Sequence, residues 1–327
     1  MDTVFFLGAG ASHGSDFRLP LMDGFFDEES LKNYSNLKNY IRKLNPKNPL
    51  EKVNMESIIT HMELTLEGFG SSWTRPDYTI FEARKEFTNY VVNRLGAPVG
   101  EKVCNKYLKL FEKLDSTDTI LSLNYDSIVE NVLFQLNPNK HTESILDRSY
   151  YLLGQINLWD GTPPSIPIED RNLGYFIQLH GSINWLYCPN QYCPFHRFFF
   201  PNRIGDSEKY NAGDPCHICG SGLDFVVVPP TMKKTFEKYP KFGLLWNLAF
   251  RKLTETEQLI MIGVSLPDSD YYLKWLIKEA MLHRKNLPKL TIVNPKEDAI
   301  NGVKSLMGIE KPETFSDLDD FLDHMNR

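Results

Sequence analysis

Thr3-Val4-Phe5-Phe6-Leu7-Gly8-Ala9-Gly10-Ala11-Ser12-His13-Gly14 is the stretch whose reading decides the fold. Thr3 to Leu7 is a β-branched and aromatic run, and the small residues after it let a buried strand turn sharply into a helix. Such a turn brings the backbone close to a pyrophosphate and aims helix N-terminal amides at it. The spacing departs from the usual dinucleotide fingerprint: the third glycine falls at Gly14, one residue late, and no acidic residue closes a second strand about 20 residues on. The loop reads as a nucleotide loop, with a purely structural turn as the alternative, and ordinary dehydrogenase-type binding is disfavoured.

The same grammar recurs along the chain. Asp118 to Leu123 is a second apolar run, delivering Asn124-Tyr125-Asp126 to a helix that carries Ile128, Val129, Val132 and Leu133; Tyr175 to Leu179 is a third, ending at His180-Gly181. Beyond a cysteine-rich window come a strand at Phe225 to Val228, a helix near Gly243 to Leu253, a strand at Leu259 to Ile262 and a helix near Tyr271 to Leu282. A strand at Leu290 to Val293 and a helix near Asp298 to Leu306 follow. Alternation of this kind predicts an α/β protein with a doubly wound, Rossmann-like parallel sheet. Ile80, Ala83, Phe87, Val91 and Leu95 recur at helical spacing, as do Val103, Tyr107, Leu110 and Leu114, so a helical insertion separates the first two strands. The expected organisation is a nucleotide-binding core over 1–30, 115–185 and 223–310, a helical insertion over 31–114, a metal module over 186–222, and a C-terminal docking helix over 311–327. That last helix is capped by Ser316 and Asp317.

Composition excludes several classes. The 327 residues carry 36 Lys+Arg against 42 Asp+Glu, a net charge of −6, which disfavours direct nucleic-acid binding or adhesion to an anionic membrane because both need a basic excess. The Lys38 to Lys52 stretch reads as a solvated connector. No apolar run reaches the ~18 residues of a membrane span, and Met1-Asp2 leads into the first strand without a signal-peptide flank, so a cytoplasmic protein is expected.

Four of the five cysteines fall in one window, spaced Cys188-x4-Cys193-x22-Cys216-x2-Cys219. Two close pairs joined by a variable loop can supply the four corners of a tetrahedral zinc, and four thiolates leave no open position, so the zinc would be structural. His196 or His217 standing in for a cysteine, or four reduced thiols without metal, are the alternatives. Cys104 belongs to the helical insertion and reads as core.

Residues just after the strands of an open α/β sheet converge on its ligand crevice. Ser12, Asn124, Asp126, His180, Gly263, Ser265 and Asn294 are therefore candidates for one site. Each has a plainer reading: Asn124 and Asp126 as helix caps, His180 as a satisfied buried histidine, Ser265 and Asn294 as turn formers.

Taken in order, Gly8-Ala9-Gly10-Ala11-Ser12, Asp16-Phe17-Arg18, Ser122-Leu123-Asn124-Tyr125-Asp126, His180-Gly181-Ser182, the four cysteines, Gly263-Val264-Ser265-Leu266 and Val293-Asn294 resemble the motifs of the sirtuin superfamily. The resemblance implies a sirtuin-type core that holds NAD as substrate, a structural Zn2+, and cleavage of the nicotinamide–ribose bond. It implies that Asn124 holds the ribose and orients the attacking water, that His180 is the general base, and that Asp126 orders the Asn124 turn. Gly8, Ala9, Gly10 and Ser12 would cradle the phosphates, Asp16 and Arg18 would line the nicotinamide side, and Gly263, Ser265 and Asn294 would take the adenosine half. Asp16 and Arg18 as an ion pair within their loop is the alternative. Two features resemble the sirtuin-like NADases of bacterial anti-phage systems: the long insertion, and the run Gly263-Val264-Ser265-Leu266-Pro267-Asp268-Ser269-Asp270. The run Val226-Val227-Val228-Pro229-Pro230-Thr231-Met232 departs from the Phe-Gly-Glu stretch that lines the peptide groove of deacylases. The expectation is an NAD glycohydrolase acting as a defence effector, held inactive in a homo-oligomer or by a partner ATPase or sensor. A protein-lysine deacylase or ADP-ribosyltransferase, favoured by the intact cysteine set, is the alternative.

Overall fold

The computed structural model describes residues 2–69, 78–114, 117–136, 175–193, 196, 200–201, 212–228, 242–267 and 270–325. The turn-rich segment 137–174, the run 229–241 and residues 268–269 lie outside these.

Six strands form a wholly parallel sheet: β1 (Thr3–Leu7), β2 (Thr119–Ser122), β3 (Tyr175–Gln178), β7 (Gln258–Ile262), β8 (Lys289–Val293) and β9 (Glu313–Phe315). Their order is β3-β2-β1-β7-β8-β9. Renumbered within the sheet this is 3-2-1-4-5-6, the order of dinucleotide-binding domains, and it reverses direction between β1 and β7. The near-continuous burial of each central strand shows the cause: alternate side chains enter two different cores. Phe5, Leu7, Ile120, Phe176, Ile260 and Ile262 face one. Val4, Phe6, Leu121, Ile177, Leu259 and Met261 face the other. A strand buried on both faces has no solvent side, so the sheet is covered by helices above and below.

On the first face lie α1 (Ala9–Gly14), α2 (Ser35–Leu44), α3 (Met55–Phe69), α4 (Tyr78–Val99), α5 (Asn105–Phe111), α6 (Ile128–Leu136) and a C-terminal helix, α10 (Leu318–Met325). On the second lie α7 (Phe242–Glu255), α8 (Tyr271–Leu282) and α9 (Glu297–Met307). The expected insertion is helical, and its last helix is integral to the sheet: Phe111 of α5 packs edge-on against Phe5 of β1, 6.0 Å between centroids. The C-terminal helix is capped as read, Asp317 Oδ1 accepting from Asp320 N at 2.9 Å.

One expected strand belongs elsewhere. The run near Phe225 forms β6 (Asp224–Val227), which leaves the parallel sheet and pairs antiparallel with β4 (Gly181–Tyr187) in a small sheet of order β5-β4-β6, β5 being Phe200–Pro201. The cysteine window lies between β4 and β6, so the chain returns from it as a hairpin partner of β4 and not as the next crossover strand. β4 and β9 are strands that the pattern of residues did not announce.

Candidate functional site

The first element of the site is the contact between two turns at the switch point. Gly8 N donates to Ile262 O at 3.0 Å and Gly10 N to Gly263 O at 3.0 Å. Gly263 sits at φ +60, and a Cβ there would fall 2.1 Å from Ala11 N. The glycines are therefore needed so that the β1 and β7 turns can touch. This alters the expected cradle: the Gly8 and Gly10 amides are already committed to backbone carbonyls, which leaves Ala9 and Ser12 of that loop facing the cleft.

The second element is a hydrogen-bonded chain across the ends of β1 and β2. Asn124 Nδ2 donates to Gly8 O at 3.0 Å and to Ser12 Oγ at 2.8 Å; Ser12 Oγ donates to Asp126 Oδ2 at 2.6 Å; Asp126 Oδ1 accepts from Ile128 N at 3.1 Å at the start of α6. Both amide hydrogens of Asn124 are used, so Oδ1 is what its side chain has to offer a ligand, as an acceptor. Burial pushes the Asp126 carboxyl above the ordinary range, opposed by its bonds from Ser12 and Ile128.

These three polar residues floor a narrow cleft with a cavity volume of about 50 Å³, partly open to solvent, whose walls are apolar: Leu19, Pro20, Met22, Phe25, Met55, Leu95 and Leu123. Phe25, Met55 and Leu95 come from the loop after α1 and from the insertion, and nothing in their spacing marks them. The loop is held by the insertion. Tyr90 Oη donates to Phe25 O at 2.6 Å, Met55 N donates to Met22 O at 3.2 Å, and Arg94 pairs with Asp27 at 2.8 Å.

His180 is not among the residues lining this cleft. It stands one ring away, its imidazole centroid 6.2 Å from that of Tyr125, which does line it. His180 Nε2 lies 3.2 Å from Asp270 Oδ2, with the two side chains 5% and 3% exposed. In the sequence Asp270 stands out only as the end of the run Gly263 to Asp270. It caps α8, Oδ1 accepting from Leu273 N at 3.2 Å.

Asp16 and Arg18 are both exposed. Asp16 Oδ2 accepts from Asn105 N at 2.7 Å, tying the loop to the start of α5, and no ion pair joins it to Arg18 among the described residues. Arg18 has a left-handed backbone, φ 49. Asn294 is buried and braces the β7 turn, Nδ2 donating to Val264 O at 3.0 Å, while Ser265 is exposed beside it.

In the module, all four cysteine Sγ atoms lie within 4.8 Å of one another, with Cys188–Cys219 at 3.5 Å and Cys193–Cys216 at 3.7 Å. Four thiolates about 2.3 Å from a tetrahedral zinc stand about 3.8 Å apart, so the set fits that ion. The separations are too long for disulfides. His196 turns its ring to the Cys188 carbonyl, Nδ1 to O 2.9 Å, bracing the knuckle.

No protein-family profile and no curated protein matches the chain. Among solved structures, a mutated Sir2 homologue with 2'-O-acetyl ADP ribose is similar over 99% of this chain and 91% of its own, with TM-score 0.49 and 15% identity. A Sir2 homolog–NAD complex gives 99% and 87%, 0.43 and 13%; Sir2 bound to acetylated peptide gives 99% and 91%, 0.42 and 12%. At such values the fold rests on the strand order itself: a parallel sheet wound 3-2-1-4-5-6, joined to a small antiparallel sheet that carries a four-thiol cluster.

Proposed function

We propose that the protein cleaves NAD at the nicotinamide–ribose bond, releasing nicotinamide and an ADP-ribose product. The observation that carries this reading is the cleft: apolar walls suited to a flat heteroaromatic ring close on a floor of Ser12, Asn124 and Asp126 that can bind a carboxamide and a ribose. The crevice between the ends of β1 and β7, where Gly263, Ser265 and Asn294 lie, is where a sheet of this order takes the rest of a dinucleotide.

Departure of nicotinamide takes the bonding pair with it, neutralising the pyridinium and leaving an oxocarbenium-like ribose. Asn124 Oδ1 would accept a hydrogen from the ribose or from the attacking water. His180 would take the proton that water gives up as the new C–O bond forms. Asp126 would hold the Asn124 turn through Ser12 and α6. Ala9 and Ser12 would face the phosphates, with Gly8 and Gly10 shaping the turn, and Arg18 would approach the nicotinamide side as an exposed cation. With water as acceptor the protein is an NAD glycohydrolase. Unregulated, it would be lethal to its host, which suits a defence effector held in check by self-assembly or by a partner ATPase or sensor.

A second reading, transfer to an acylated lysine or another acceptor, is favoured by one feature. β6 is an edge strand of the small sheet among the described residues, so an extended peptide could add along its open side; on its paired side Val228 donates its N–H to His180 O at 2.8 Å. Chromatography of NAD incubated with pure protein separates the two. Equal nicotinamide and ADP-ribose without any peptide supports hydrolysis; turnover only with an acylated peptide supports transfer; no nicotinamide under either condition removes both.

A further inference from the structure

α2 packs with two different faces. Leu37 and Ile41 are buried in the first core, as an amphipathic helix requires. Asn36, Asn39, Tyr40 and Lys43 make a second stripe at the spacing of one helix face, and this one is polar throughout. Together with Arg42 and with Thr79 at the start of α4, they line a recess of about 460 Å³, much larger than the cleft and within the size range of small-molecule sites. Bonds at its edges fix its shape. Glu86 of α4 accepts from Asn36 Nδ2 at 2.7 Å and from Leu37 N at 2.9 Å, and Tyr40 Oη meets His61 Nδ1 of α3 at 2.7 Å. Arg42 pairs with Glu28 and donates from Nη1 to Asn48 O at 3.2 Å, while Lys38 Nζ stands 2.5 Å from the other Glu28 oxygen. These bonds leave Asn36 its amide oxygen and Arg42 further N–H donors.

We propose that this recess is a second ligand site, separate from the cleft, and that it takes a nucleoside monophosphate: Arg42 and Lys43 on the phosphate, the Asn36 and Asn39 amides on the edge of the base, and Tyr40 against the ribose or base. A planar guanidinium matches two phosphate oxygens at once, and a lysine adds a mobile point charge beside it. A carboxamide presents a donor and an acceptor side by side, which is the pattern that base edges offer. The seven residues from Asn36 to Lys43 span about 10 Å along α2, so the amide end and the cationic end address opposite ends of one ligand. Two acids border the recess, and both are engaged: Glu28 by Lys38 and Arg42, and Glu86 by the amide of Asn36 and the start of α2. Arg42 and Lys43 belong to the Lys38 to Lys52 stretch, whose charge in sequence reads as merely solvated. α4 runs on from Thr79 to Leu95 in the cleft wall, and Glu28 lies in the loop that carries Phe25, so an occupied recess would touch both elements that shape the cleft.

The test is hydrogen–deuterium exchange of the full-length protein read by mass spectrometry, which reports where a ligand sits, with AMP, GMP, CMP and UMP as probes. At least one of them should slow exchange over 36–43 saturably at millimolar concentration or below, and the same nucleoside without its phosphate should need about 10-fold more or greater. Arg42→Gln and Lys43→Gln alter exposed or half-exposed side chains, so both should fold with little change in thermal transition, and each should weaken the protection about 10-fold. Asn124→Ala, in the cleft, should leave it unchanged. No protection over 36–43 by any of the four nucleotides, protection as strong in both folded variants as in the wild type, or protection confined to segments that line the cleft overturns the proposal. The outcome does not depend on whether the protein cleaves NAD.

Discussion

Gly263 shows how much a single residue carries. Its positive φ and its contact with the β1 turn leave no room for a methyl group, since a Cβ would sit 2.1 Å from Ala11 N. Gly263→Ala should therefore cost on the order of 3 kcal/mol or more, read as a lower denaturant midpoint; a variant as stable as the wild type would contradict the packing described. Glu130 makes the opposite kind of case. It is buried on α6, accepts from Ser182 Oγ at 3.1 Å, and burial first, then the nearby Asp126 carboxylate, push its pKa up to about 8. The unfolded chain releases that proton near the usual 4.5, so between about 4.5 and 8 the folded state holds a proton the unfolded state has lost, and stability falls as pH rises through this window. Glu130→Gln keeps an acceptor for Ser182 and should be more stable than the wild type at pH 8, by a few kcal/mol on the order-of-magnitude scale, with the gap closing toward pH 4.5. Parallel stability curves for the two proteins across that range would refute it. Glu130 could not be singled out from sequence, because an acid on a helix reads as solvated until burial is known. The cysteines were legible for the converse reason: ligand pairing is local in the chain, and Cys216-x2-Cys219 makes one tight turn.

At the scale of elements, the insertion and the cleft are one structure. α3 and α4 supply Met55 and Leu95 to the walls, and Tyr90 holds the facing loop through Phe25 O. Tyr90→Phe removes that donor and leaves a buried carbonyl short of a partner, a loss of about 1–3 kcal/mol. Because the loop borders the cleft, KM for NAD should rise more than kcat falls; a KM identical to wild type in a measurably destabilised variant would mean the loop does not shape the site. The four-thiol module should hold one zinc per chain by elemental analysis, and Cys216→Ser should lose it together with part of the thermal stability. Retention of full zinc by that variant would exclude Cys216 as a ligand. Helical periodicity made α4 and α5 readable, whereas β4 was hidden: Gly181 to Tyr187 is buried at all seven positions, so it shows no alternation, and Ser182 and Asn184 interrupt its apolar run. β9, three residues long and only partly buried, offered no pattern at all.

For the whole molecule, the order β3-β2-β1-β7-β8-β9 puts the switch point between the first strand and the fourth, and the residues after those strands meet there. Alternation of strands and helices was enough to expect a doubly wound sheet, but not to see that β6 leaves it, since a short valine run reads alike in either sheet. Of the strand-end residues expected at one crevice, Ser12, Asn124 and Asp126 line the cleft, while His180, Gly263, Ser265 and Asn294 are not among its lining residues. The side walls were not legible in the sequence, because they converge from separate segments through tertiary packing alone. The chain carries a net charge of −6, and among the described residues no helix is long and apolar enough to cross a membrane. On the proposed reading, NAD loses nicotinamide over the floor of Ser12, Asn124 and Asp126, with Asn124 meeting the ribose or the attacking water. The most direct measurement is the rate of nicotinamide release from NAD by the purified wild type and by Asn124→Ala, each shown folded by its thermal transition. Release by the wild type and a loss of about 100-fold or more in the variant is the predicted result; wild-type protein that releases nothing in any oligomeric form, or equal rates in the two, contradicts the account.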